Sequence, residues 1–87
     1  MTFLEATQEL MARAISLDDV ADEAGVEVRA IRCARLDPSN ASYENPPLNW
    51  QEAMARLARK RARSLEALAD QMERELSTMP EGPDAVA

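Results

Sequence analysis

Gly25 sits in the one stretch of this chain whose spacing leaves little choice of fold, LDDVADEAGVEVRAIRCARL at residues 17–36. Ala21 and Ala24 are small, as required where two helices cross closely. Gly25 follows at once, where a tight turn needs a residue that tolerates φ > 0. Val26 then re-enters the core, and Ile31 and Ala34, three residues apart, form the buried stripe of a second short helix. The pattern is that of a helix-turn-helix unit.

The flanking sequence supplies further helices. Thr2 caps a first helix over Phe3 to Ala14, with Glu5 completing a capping box. Its inward stripe is Phe3 or Leu4, then Thr7, Leu10, Met11, Ala14 and Ile15. Ser16 repeats the device for the next helix, whose first turn holds Asp18 and Asp19 where the positive end of the helix dipole favours acids. Asp37-Pro38 ends the recognition-type helix, about Val28–Leu36, and residues 37–49 are dense in turn formers. Asn49 caps a last helix, again with a Glu three residues on, that runs unbroken from Trp50 to about Thr78 and spans roughly 42 Å. Trp50, Ala53, Met54, Leu57 and Ala58 face the body, with Trp50 the expected anchor. Beyond them Leu65, Leu68, Met72 and Leu76, with Ala69 and Met79 nearby and charged residues around them, fit a short coiled-coil seam and predict a homodimer; folding back onto the same chain is the alternative.

The resulting expectation is an all-α protein: a bundle of three short helices plus a long C-terminal helix. Residues 1–62 form the helix-turn-helix domain, 63–79 continue the last helix as an oligomerisation segment, and 80–87, PEGPDAVA from Pro80, have the composition of a disordered tail. Eighty-seven residues make one domain with a modest core. The absence of His and the single Cys exclude a Cys/His zinc cluster, a catalytic pair built on His and an internal disulfide. No enzyme, cofactor or metal is therefore expected. With no transmembrane run or leader pattern, the chain reads as cytoplasmic, nucleoid-associated when bound.

The net charge of −6 conceals blocks of opposite sign. Residues 1–28 hold seven acids against one Arg, whereas 29–36 hold three Arg and 56–63 hold five cations. Screening over about 8–10 Å lets a basic face act locally beside a distant acidic one. Arg29, Arg32 and Cys33 fall on the outer face of the second helix of the unit, the face that reads base edges when such a helix lies in the major groove of double-stranded DNA. Arg29 and Arg32 are assigned to bases, since an Arg paired bidentately with guanine is the commonest specific contact. Arg35 lies nearer the core boundary and touches phosphate or pairs with Asp37. Ser39 and Asn40 in the loop, and Arg59, Lys60 and Arg63 on the last helix, are the candidate phosphate contacts.

The block Val20, Ala21, Ala24, Gly25, Val26, Ile31, Ala34 resembles the helix-turn-helix of the Cro/CI-like (XRE) family of bacterial and phage regulators. The resemblance covers about a quarter of the chain, or about sixty residues with the flanking helices. It implies sequence-specific DNA binding by a small transcriptional regulator. Family members often open both helices with a glutamine or serine that binds phosphate, whereas Asp18, Asp19 and Glu27 stand here, so only Arg29, Arg32 and Cys33 carry the comparison. Those acids motivate a first alternative, an adaptor whose acidic first two helices contact a basic protein partner. A DNA-recognition subunit of an oligomeric, phage-like packaging machine is the second.

Overall fold

The computed structural model describes residues 1–78, which are helical throughout their regular structure, with no strand. Helix α1 spans Phe3–Ala12, α2 Leu17–Ala24, α3 Val28–Ala34 and α4 Trp50–Thr78. Met79 and the tail from Pro80, both named above, lie outside the described residues. No described helix is long and apolar enough to cross a membrane.

Two of the three expected capping boxes form. The Thr2 side chain accepts from the Glu5 N–H at 3.1 Å while Glu5 accepts from the Thr2 N–H at 2.9 Å, and Ser16 and Asp19 do the same for α2. These reciprocal bonds satisfy donors that a helix start leaves orphaned. The third box is absent: among the described residues no hydrogen bond joins Asn49's side chain to Glu52. The Asn49 amide lies instead 3.5 Å from the Ala24 carbonyl, so it serves the end of α2 rather than the start of α4.

Helices α1 and α2 end alike. The Val26 N–H donates to the Ala21 carbonyl and the Gly25 N–H to that of Asp22, with Gly25 at φ +76°. This is the Schellman closure. At the end of α1 the Ile15 N–H reaches Leu10 and the Ala14 N–H reaches Met11, with Ala14 at φ +65°. An alanine thus occupies the left-handed position usually given to glycine, and α1 stops two residues earlier than its apolar pattern predicts. Met11 and Ala14, expected inside, are exposed, as is Leu4. The guanidinium of Arg61 on α4 donates to the carbonyls of Arg13 and Ala14 at 3.4 and 3.2 Å, which pins this corner from outside.

The core is assembled from Phe3, Ala6, Leu10, Ile15, Val20, Ala21, Ile31, Ala34 and Met54, with Ile31 wholly buried and Val26, Val28 and Leu57 packed at its margin. Trp50 is half-buried at that margin rather than at the centre. Its ring meets Phe3 edge to face, centroids 5.5 Å apart at 88°, the arrangement that aligns a ring edge with a π-face. Helix α2 lies between α3 and α4 and packs on both, and α1 closes the remaining side. Ala58, expected inward, is exposed, and from Ala62 onward every described residue of α4 is exposed.

Two polar links tie distant segments. Thr7, fully buried, donates its hydroxyl to the Leu4 carbonyl at 2.9 Å and accepts Arg35 Nε at 2.8 Å, so a core hydroxyl is satisfied in both directions. Glu23 of α2, whose side chain is only 12% exposed, accepts from Lys60 Nζ at 2.8 Å and Arg56 Nε at 3.0 Å. Those bonds, that from Lys60 first, hold its carboxyl below the ordinary value of 4.5.

Two stability predictions follow from this geometry. Ala14→Gly relieves the left-handed strain and should raise stability by roughly 0.5–1 kcal/mol, a few degrees in thermal midpoint, after allowing for the greater freedom of glycine in the unfolded chain; a lowered midpoint in calorimetry would contradict it. Because the Glu23 carboxyl is depressed on folding, its contribution is present above about 4.5 and lost as pH falls through the lower folded value. Glu23→Gln should therefore be less stable than the parent in denaturant titrations at pH 7, with the gap closing below pH 4.

Candidate nucleic-acid interface

Helix α3 is short because little supports it beyond its buried side. Ile31 and Ala34 face the core, and its N-cap residue, Glu27, makes no side-chain cap bond. The Leu36 N–H still reaches the Cys33 carbonyl and the Arg35 N–H that of Arg32, so the final turn continues loosely toward the expected Leu36. What remains outward is Arg29 and Arg32, both exposed, with Cys33 half-exposed one turn on from Arg29.

The outer face is partly engaged by the loop that follows. The Glu44 N–H donates to the Cys33 carbonyl at 3.4 Å, which brings the loop back along α3. Arg29 Nη1 then lies 3.4 Å from Glu44 Oε2 and 3.7 Å from Cys33 Sγ. The thiol contact first, and then the Glu44 charge, hold the guanidinium still more firmly in its charged form. The ion pair is exposed, with side chains 72% and 46% accessible. A pair of this kind exchanges readily with another anion. Glu44 was not among the residues singled out from sequence; its position three residues before Pro47 carries no periodic signal, and only the returning loop brings it to Arg29. With Asp22 and Glu27 it lines a shallow concavity of about 640 Å³ beside Arg29 and the α2–α3 turn.

The other candidates divide. Arg35, expected at phosphate or on Asp37, spends its Nε on buried Thr7. Asp37 instead accepts both the N–H and the hydroxyl of Ser39, at 2.8 and 2.6 Å, and Asn40 accepts the Ser42 N–H at 2.8 Å. The Ser39 hydroxyl bond, then the backbone one, lowers the Asp37 carboxyl from its ordinary value. These side chains therefore shape the loop. Lys60 is held by Glu23. Arg59 and Arg63 have no side-chain partner among the described residues, but at 3.6 residues per turn they lie on the opposite side of α4 from Trp50, Met54 and Leu57, which meet the head. The structure thus groups Arg29, Arg32 and Cys33 on one surface, with Arg35 beneath it and the loop alongside. Arg59, Lys60 and Arg63 do not join that surface.

Among the described residues no cluster of three or more Cys, Asp or Glu is arranged to hold a metal ion. The arrangement offers charge and hydrogen-bond donors. No family model, no characterised protein and no solved structure matches this chain.

Proposed function

We propose that the chain is a sequence-specific double-stranded DNA-binding protein, a small regulator that reads the major groove with α3. The observation that carries this reading is the outer face of α3: two exposed arginines three residues apart, on the second helix of a helix-turn-helix unit closed by Gly25 at φ +76°. Arg29 and Arg32 contact bases, Cys33 lies beside Arg29 against the groove, and the Nη groups of Arg35 approach phosphate. No chemistry on the DNA is assigned. The acceptor atoms of a base edge take the place of Glu44 at Arg29, so the loop acid acts as a competitor that sets affinity. The acidic concavity of Asp22, Glu27 and Glu44 favours one competing reading, docking of a basic protein segment.

Selection from a random duplex pool at about 0.15 M salt separates these, because non-specific phosphate binding is already weakened there. The parent chain should enrich a defined motif. Arg29→Ala with Arg32→Ala should lose that motif, with affinity for it down roughly ten-fold or more and helical content unchanged. Glu44→Gln should bind the same motif about two- to five-fold tighter, since it removes an exposed competing charge. A motif that survives the double substitution, or weaker binding by Glu44→Gln, would refute the assigned face.

A further inference from the structure

Beyond Arg61, α4 leaves the head entirely, and Leu65, Leu68, Met72 and Leu76 stand 45–71% exposed along one side of it. Set out in heptads, that side reads Ala58, Ala62, Leu65, Ala69, Met72, Leu76 at the two core positions, with the small residues weighted to the N-terminal end and the large ones to the C-terminal end. We propose that this face pairs with the same face of a second copy, antiparallel, about a two-fold axis beside Ala67. Ala58 then meets the partner's Leu76, Ala62 the partner's Met72 and Leu65 the partner's Ala69. Every layer joins one small and one large side chain, so the helices keep an even spacing. A parallel pair would stack Ala on Ala and Leu on Leu, leaving gaps and bulges in turn.

Charge selects the same register. Residues 64–78 hold four acids and one Arg, whereas 56–63 hold five cations. Antiparallel pairing lays the acidic segment of each copy along the basic segment of the other. Arg59, without a side-chain partner among the described residues, faces the partner's Glu73, twice by symmetry, and Arg61 stands level with the partner's Glu75. Glu66 meets the partner's Glu66 once, at the axis. A slide of one heptad that overlapped only the tails would set Glu66 against the partner's Glu73 on both sides. The favoured register overlaps residues 56–78, roughly 34 Å of helix. At its end an apolar groove of about 480 Å³ opens between α1 and α4, lined by Leu10, Met54, Ala55 and Ala58. The partner's Leu76 arrives at that groove.

The seam lies about 90° around α4 from the residues that face the head. Because the two-fold axis is normal to the plane of the paired helices, both heads project to the same side, with the two Met54 positions, at the centre of each head's contact with α4, about 39 Å apart along the helices at 1.5 Å per residue. That separation approaches the 34–36 Å of one DNA turn. This last consequence rests on the DNA reading; the pairing does not.

The test uses the full chain without DNA. Sedimentation equilibrium should give twice the 9.6 kDa of the monomer. Arg59→Glu and Glu73→Arg, both at exposed positions, should each raise the dissociation constant roughly ten-fold, and the double reversal should restore it to within about two-fold. In a parallel pair, residues 59 and 73 would face apolar side chains and the reversals would not compensate. Spin labels on Ser77→Cys in a Cys33→Ser background should lie about 30 Å apart, against under about 20 Å for parallel helices. A monomeric parent chain, uncompensated reversals or the short distance would each overturn the proposal, whatever the outcome of DNA selection.

Discussion

Three helices of seven to ten residues cannot hold themselves in water, and the N-terminal half of α4 is the surface that makes them stable. Met54 enters the core, Trp50 meets Phe3 at its margin, and Ala53 is small enough to let the short helices approach. Arg56, Lys60 and Arg61 then fasten the same stretch to Glu23 and to the end of α1. Three of the five cations in the basic run are thereby used to close the head. The orientation of α3 follows, because α2 stands between it and α4 and because Arg35 is tied back to buried Thr7.

That arrangement gives α3 an outer face with few obligations. Among the described residues its arginines make one exposed ion pair, to Glu44, and one long contact to sulfur. A protein whose overall charge is −6 needs such local freedom if a polyanion is to approach it. The acids that open α2 have a structural explanation in its capping box and dipole, whereas Glu44 has none in the loop's own turns. On the proposed DNA reading, Glu44 is therefore the acid whose position bears most directly on binding.

Local chemistry was readable from the residues. Thr2 with Glu5, Ser16 with Asp19, and Gly25 each announce a helix boundary within four residues, and the structure has all three. The apolar pattern runs past the true end of α1 because Ala14 carries no signal for a left-handed conformation, and the early stop leaves Met11 and Ala14 outside. Asn49 has the residue type of a cap, but Ala24, 25 residues away, takes its amide. The links from Glu23 to Lys60, Arg61 to Ala14 and Arg35 to Thr7 join residues 28 to 47 apart, and neither periodicity nor spacing encodes such pairs. The same holds for the split of the basic run into cations that close the head and cations that stay free.

If the outer face of α3 is where DNA is held, amide NMR of the labelled full chain titrated with a selected duplex should show shift changes confined to Val28–Arg35 and the loop around Glu44, with α1 and residues 64–78 unmoved. Changes centred on Arg59 and Arg63, or none at duplex concentrations that saturate binding, would contradict it.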